Sequence, residues 1–380
     1  MIILGKLYGK IVLTGGPCAG KTTAISKIEE ELTSLGYYVI IIPESATELI
    51  NSGIKPFGNS KIDLLNFQKL ILNYQLGKEN FYQQAIKLLD KDTKCIIICD
   101  RGALDNQAYI TKEQFNEVIK EFGYTRISLL NRYDMILHLV TAADGKEEYY
   151  TLENNSARTE TIEEARELDK KTLNAWIGHN YLKVFNNEGN FEEKLEKCLT
   201  AIQEFLGNPI SIRRERKFLI NPIKSDLSLL ATYPHTTTNI EQYYLKPNYY
   251  HNYEKRLRKI TYQEGENYYC TIQRRTKNGT KEIIKDSKIT KEEFYNMLNT
   301  TSIISEVKKT RIVFIYNKQY FRLDIFANNP NIILEIEATK ENQEVDIPNF
   351  LSIIKDITND SNYQNINISQ PKTKKLFKLN

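Results

Sequence analysis

Apolar residues in the first half of this chain fall into short unbroken blocks, separated by longer stretches of helical spacing. Residues 10–14 form a β run that ends in a glycine-rich turn, and 37–42, 95–100 and 135–140 are further apolar runs. Runs without polar alternation suit strands buried on both faces. Between them, residues 21–35, 63–89, 112–122 and 161–175 carry apolar positions at helical spacing, and 191–206 closes the series. Thr161-Ile-Glu-Glu164 has the capping-box form, and Gly36 stands where a helix C-cap would. Strand alternating with helix predicts an α/β domain with a doubly wound parallel sheet.

After the breaker cluster Gly207-Asn208-Pro209 the period falls to two. Residues 213–220, 238–245, 253–262, 268–275, 310–316, 320–327 and 332–338 read as strands, and 291–298 and 349–358 as helices. Asn278-Gly279, Asn317-Lys318 and Asn328-Asn329-Pro330 are hairpin-type separators. A mostly antiparallel β-barrel with flanking helices is the expectation here. The predicted domains are residues 1–207 and 208–380.

Composition sharpens this picture in two ways. Residues 1–207 hold 24 Lys+Arg against 29 Asp+Glu, and residues 208–380 hold 28 against 19, so the overall +4 hides a basic second half. Such a half suits a polyanionic partner: nucleotide, polyphosphate, nucleic acid or an anionic lipid headgroup. A solvated basic surface without a partner is the alternative. Five scattered cysteines without a CxxC pair argue against a disulfide framework or zinc site. No apolar run reaches membrane-spanning length, and the first residues do not form a signal peptide. A cytoplasmic protein is expected.

The strongest chemical signal is Gly15, Gly16, Pro17, Cys18, Ala19, Gly20, Lys21, Thr22, followed by Thr23. It matches GxxxxGK[ST], after a strand and before a helix, as a phosphate-binding loop requires. Backbone N–H groups and the helix N-terminus would cradle phosphate. Lys21 would reach the β- and γ-phosphates, and the Thr22 hydroxyl would hold Mg²⁺. Asp100-Arg101 ends the third strand, where an acid commonly serves the metal; a strand-end turn residue is the other reading. Glu44 ends the second strand, as an attacking hydroxyl's base or as a helix-start acid. Arg158 and Arg166 sit where a mobile lid would close on phosphates, unless they lie on a solvated helix face.

Thr14-Gly-Gly-Pro-Cys-Ala-Gly-Lys-Thr-Thr23, Cys99-Asp-Arg-Gly102 and His138-Leu-Val-Thr-Ala-Ala-Asp-Gly145 together resemble the AAA-type P-loop domain of the nicotinamide riboside kinase and TRP-like channel translocation defect type. Trp176-Ile-Gly-His179 before Val184-Phe-Asn-Asn187 is similar to that family's closing segment. The resemblance spans residues 8–207. It implies a nucleoside-kinase-like fold that binds ATP or GTP. It also implies that Glu44 is the base and that Asp100 and Arg101 serve the phosphates.

In the second half, alternate residues on one strand share a face, so Glu215 pairs with Lys217, Arg256 with Arg258, Lys309 with Arg311, and Glu335 with Glu337. Charges repeated strand after strand cannot sit unpaired in an apolar core. Either this face is solvated, or it lines a polar lumen. In such a lumen, bases hold phosphate oxygens and carboxylates hold Mg²⁺ or Mn²⁺. The pattern resembles the CYTH, or triphosphate tunnel, family over residues 211–375. That family opens with Glu-x-Glu-x-Lys; here Arg213 stands at the first letter, and Glu215 and Lys217 match the rest. Arg274 and Asp324 occupy further plausible inward positions.

The functional expectation is a Mg²⁺-dependent NTP-binding phosphotransferase or NTPase, coupled to a basic tunnel that takes a polyphosphate or phosphorylated ligand. Arg213 favours an alternative: a nucleotide-gated protein that captures an anionic lipid such as phosphatidic acid, or another polyanion, without tunnel hydrolysis. A weaker third reading is an RNA 5′-end or inorganic triphosphatase.

Overall fold

Full burial of Ile11–Leu13, Ile96–Cys99 and Ile136–Leu137 explains why the first-half strands carry no polar alternation: both faces of their sheet are covered. A computed structural model describes the chain apart from residues 1–5, 58–60, 151–159, 208–214, 247–252, 276–280, 338–344 and 369–380. It divides into two compact units, Met1–Leu206 and Gly207–Asn380.

The first unit runs β1 (Lys6–Thr14), α1 (Lys21–Ser34), β2 (Tyr38–Ile42), α2 (Ser45–Asn51), α3 (Leu64–Ile86), β3 (Lys94–Asp100), α4 (Lys112–Glu121), α5 (Arg126–Leu130), β4 (Met135–Leu139), α6 (Ile162–Ala175), β5 (Leu182–Phe185) and α7 (Phe191–Phe205). The five strands are parallel in the order β2-β3-β1-β4-β5. β1 is central, so the turn leaving it lies at the carboxyl edge where neighbouring strands also deliver side chains. Ala24, Ile25, Ile28 and Leu32 of α1 and Leu195, Cys198 and Ile202 of α7 cover one face. Side-chain caps fix helix starts: Asp63 accepts from Asn66 N at 2.8 Å, and Thr161 and Glu164 exchange capping-box hydrogen bonds. The four-residue β5 was too short to stand out in the sequence.

The second unit runs β6 (Glu215–Ile220), β7 (His235–Leu245), β8 (Tyr253–Tyr262), β9 (Gly265–Arg275), β10 (Lys281–Ile289), α8 (Lys291–Thr300), β11 (Ile303–Tyr316), β12 (Gln319–Phe326), β13 (Ile332–Glu337), β14 (Ile353–Asp356) and α9 (Asn365–Ile368). All pairings are antiparallel, in the order β10-β9-β8-β7-β11-β12-β13-β6-β14. Asn317 and Lys318 have φ of 44° and 61°, the two left-handed residues of a type I′ hairpin between β11 and β12.

Three expectations need correction. First, β10 and β14 are the ends of the strand order, and among the described residues no pairing joins one to the other, so what is seen is a mostly antiparallel nine-stranded sheet. Second, the helix expected over 349–358 is a turn followed by β14, paired to the otherwise free edge of β6. Phe350, Ile353, Ile354 and Ile357 have helical spacing, but Phe350 and Leu351 instead join the core beside Phe218. Third, β10 was missed because its charged sequence is that of an edge strand, with little apolar alternation.

On the side away from the paired charges, Phe218, Phe314, Phe321, Leu323 and Leu334 form one core. Tyr243, Leu257, Tyr268 and Cys270 pack with Phe294 and Leu298 of α8 into another. Among the described residues, no helix is long and apolar enough to cross a membrane.

Candidate functional site

β1 ends at Thr14 and α1 starts at Lys21, so residues 15–20 make the turn between them. Gly15 has φ 138°, Cys18 φ 54° and Gly20 φ 82°. Interspersed left-handed residues are how a short loop builds a backbone concavity for anions. Gly16 is required by packing: a Cβ there would lie 2.8 Å from the Cβ of Asp169. Lys21 is buried, and its Nζ donates to the carbonyl oxygens of Gly15 and Gly16 at 3.1 and 2.9 Å. Thr22 and Thr23 are exposed in the first turn of α1. Pro17 O accepts from the Thr141 hydroxyl, and Cys18 O from Ala142 N at 3.1 Å. The loop is therefore laced to the segment after β4; Ala19 is buried beneath it.

β3 lies beside β1 and carries Asp100 to the same edge. Burial raises the Asp100 carboxyl above its ordinary range, against the pull of Lys21, and its Oδ1 is buried without a hydrogen-bond partner. Arg101 follows with φ 68°, its amide donating to Leu13 O at 2.9 Å. Its Nε donates to Glu44 Oε1 at 2.5 Å, and its Nη1 lies 3.7 Å from Asp105 Oδ2. Glu44 stands just before α2 and also accepts from the Thr47 hydroxyl at 2.7 Å. Burial pushes its carboxyl up, but Arg101 and then Lys21 outweigh that and leave it at about 2.

Lys21, Glu44, Asp100 and Arg101 thus converge. Thr22 and Asp100 are the residues that could hold Mg²⁺, and the unpartnered Asp100 oxygen fits a cation. Among the described residues no cluster of three or more acid, His or Cys side chains stands ready for a metal. A cation would complete its shell with phosphate oxygens and water, as Mg²⁺ commonly does.

Arg158 lies outside the described residues. Arg166 is not turned to the loop: its Nε donates to Ala143 O at 2.6 Å and its Nη2 to Glu147 at 2.5 Å. Three buried polar residues went unremarked in the sequence. Asp169 accepts from Gly16 N at 2.6 Å and Thr141 N at 3.3 Å, and lies 3.3 Å from His138 Nε2. Asp105 accepts from the Thr14 hydroxyl at 2.7 Å and from Trp176 Nε1 at 2.6 Å. Lys194 donates to Val140 O at 2.7 Å and Asn187 Oδ1 at 2.8 Å, and burial lowers its amine to about 8. The available signal was a polar residue inside an apolar helical stripe, as Asp169 is among Ala165, Thr172 and Leu173.

In the second unit, register carries the argument. Directly paired residues share a face. Arg311 pairs Asp324, Arg322 pairs Glu335, Glu335 pairs Lys217, and Glu337 pairs Glu215. Further along, Tyr244 pairs Arg256, Gln242 pairs Arg258, and Thr271 pairs both Arg256 and Asp286. One face therefore gathers Lys217, Arg256, Arg258, Lys309, Arg311 and Arg322 with Glu215, Asp286, Asp324 and Glu335. In the backbone register Arg274 pairs Tyr253. The side chains of Arg274 and Glu337, and all of Arg213, lie outside the described residues.

Among the described residues of this face, Asp324, Glu335 and Glu215 are each engaged by cations. Asp324 is fully buried; it accepts from Arg311 Nε and Nη2 at 2.7 Å each and from Lys309. Glu335 binds Lys217 at 2.9 Å and Arg311 at 3.0 Å; Glu215 lies 3.4 Å from Lys217 and 3.3 Å from Arg322. Both Asp324 and Glu335 are held below the usual carboxylate range, because these cations overcome burial. Burial lowers Lys309 to about 8, Arg311 repelling it and Asp324 attracting it. Arg256 donates to Thr271 Oγ1 at 3.2 Å, and its Nε is buried without a hydrogen-bond partner.

Comparison with known proteins bears on the two units unequally. The structure of an inorganic triphosphatase is 22% identical and aligns over 42% of this chain and 95% of its own, with a TM-score of 0.28. A protein of Pyrococcus horikoshii OT3 is 17% identical over 34% of this chain and 80% of its own, also at 0.28. Neither carries an argument at that score. The nucleoside-triphosphatase THEP1 of Methanocaldococcus jannaschii is 32% identical over 179 residues, 43% of this chain and 95% of that protein. The AAA domain family matches residues 10–194, which hold the loop, Glu44, Asp100 and Arg101. In its N-terminal part, this chain belongs to the AAA-type P-loop NTPase domain family.

Proposed function

We propose that the first unit is a Mg²⁺-dependent nucleoside triphosphatase or phosphotransferase, taking ATP or GTP, and that the polar face of the second unit binds a polyphosphate or phosphorylated ligand. The observation that carries the first part is the meeting of Lys21 with the buried, unpartnered Asp100 oxygen at the mouth of the glycine loop. Lys21 is held by loop carbonyls and would exchange them for β- and γ-phosphate oxygens. Thr22 and Asp100 would hold Mg²⁺, which neutralises charge on the phosphates when bound. Glu44 is a weak base at about 2, so its work is better described as holding Arg101 toward the phosphates. The relative's name, a nucleoside-triphosphatase, supports hydrolysis over transfer.

For the second unit, binding without hydrolysis is favoured, because Glu215, Asp324 and Glu335 are engaged by cations rather than grouped for a metal. Arg256 and its neighbours would instead meet phosphate oxygens. An anionic lipid headgroup offers the same chemistry. Phosphate release by the full chain with ATP, GTP and tripolyphosphate, with and without Mg²⁺, tests the reading. Mg²⁺-dependent NTP cleavage with intact tripolyphosphate supports it. No NTP cleavage with any acceptor, or robust tripolyphosphate cleavage, overturns the corresponding half.

A further inference from the structure

We propose that Asp169 is a positioning residue that sets the conformation of the phosphate loop from α6, through its hydrogen bonds to Gly16 and Thr141. The inference rests on reading the first unit as a nucleotide site. One carboxylate oxygen does this work: Oδ1 accepts from Gly16 N at 2.6 Å and from Thr141 N at 3.3 Å. Asp169 is 6% exposed, on the flank of α6 that also buries Ala165 and Thr172. Contact is so close that a Cβ on Gly16 would lie 2.8 Å from the Asp169 Cβ and 3.2 Å from Ala165 O.

A carboxylate under a phosphate loop is electrostatically unfavourable for an incoming anion. A purely packing role at this position would be served by an apolar residue, and the contact with His138, 3.3 Å from the same oxygen, would not by itself engage the Gly16 amide. Its placement makes sense if its acceptor geometry is needed. By committing the Gly16 amide, Asp169 fixes the peptide orientation at the start of the turn and therefore that of the amides that follow. Thr141 is drawn to the same oxygen, and its hydroxyl reaches Pro17 O, so two elements of the loop's surroundings share one anchor. Arg166, one turn earlier on α6, holds Ala143 O. The helix thus grips the loop and the segment after β4 together. Small errors in such positioning are costly, up to about 100-fold for a displacement of roughly 1 Å.

The test compares Asp169→Asn with Asp169→Ala in the full chain, measuring kcat and KM for ATP and GTP hydrolysis and the affinity for a non-hydrolysable NTP analogue. Asn keeps an oxygen acceptor and loses the charge; Ala loses both. The expected result is an Asn variant within about 3-fold of wild type, and an Ala variant whose KM and analogue Kd rise at least about 10-fold, both melting cooperatively. Equal impairment of Asn and Ala, or an unimpaired Ala, overturns the proposal. Should Ala not fold, Gly16→Ala gives a second reading by crowding Asp169 from the loop side: a KM rise is expected, and wild-type KM overturns the proposal. Lys21→Ala run in parallel separates the two levels. If it leaves turnover intact, the nucleotide-site reading fails. If it abolishes turnover while Asp169→Ala is silent, only the role of Asp169 fails.

Discussion

Arg311 grips Asp324 with two parallel hydrogen bonds of 2.7 Å, across directly paired positions of β11 and β12. That fork uses the carboxylate a metal would need, whereas the Nε of Arg256 on the same face has no hydrogen-bond partner. Arg256→Ala should therefore weaken tripolyphosphate binding, by roughly 1.5–3 kcal/mol for one charge-assisted contact. Isothermal titration with the Lys21→Ala chain, in which the first site is disabled, reads the second alone. Unchanged affinity would point to a solvated sheet without a ligand.

The same face should be pH-sensitive on its alkaline side. Lys309 is lowered to about 8 from an ordinary 10.5, so it loses its charge between neutral and alkaline pH in the folded chain. Tripolyphosphate affinity should fall from pH 7 to pH 9 in wild type, and fall less in Lys309→Met. In that same window the unfolded chain binds the extra proton, so the Lys309 contribution to folding stability improves as pH rises through 8. Equal pH slopes in the two proteins would rule out Lys309 as the titrating group.

Lys21→Ala should abolish or severely weaken NTP binding and turnover, with the fold retained. Its ammonium donates to the loop carbonyls of Gly15 and Gly16, at the place where phosphate oxygens would sit, so its loss removes phosphate contacts rather than core packing. Retained nucleotide affinity would contradict the loop assignment.

Glu44 offers a test of base against clamp. Its carboxyl is lowered from 4.5 to about 2, so it stays ionised across the working range. The sign is that of a depressed acid: its stabilising pairing is present above about 4.5 and lost as pH falls toward 2. Turnover should show no acid limb attributable to Glu44 above pH 4. Glu44→Gln should lower turnover about 10-fold through a looser Arg101, well short of the roughly 10²–10⁴-fold expected for removal of a general base. A loss in that larger range, with affinity kept, would restore the base assignment.

Asp100→Asn should raise the Mg²⁺ concentration needed for half-maximal turnover. It replaces a carboxylate with a neutral amide where a buried oxygen has no hydrogen-bond partner and would meet the cation. Titration of activity with Mg²⁺ at saturating NTP checks this; an unchanged Mg²⁺ requirement would remove Asp100 from the metal shell.

Local sequence was enough to determine the phosphate loop, the parallel α/β class and most strands of the second half. Those features depend on short-range rules: glycines where φ must be positive, apolar runs where both faces are covered, period two where one face is polar. It also placed Glu44, Asp100 and Arg101 at strand ends and Lys21 at the start of a helix. Tertiary structure alone decided what they touch. Glu44 and Arg101 are 57 positions apart, and Gly16 and Asp169 are 153 apart, so nothing in local spacing could pair them. The fate of residues 349–358 shows the same limit: helical spacing was real, but a free strand edge on β6 offered hydrogen bonds that an isolated turn of helix could not match. Likewise the charges at Lys309, Arg311, Asp324 and Glu335 were legible one strand at a time. Only the register between strands showed that bases and acids neutralise one another across a single face, because register is fixed by how whole strands bury their apolar sides.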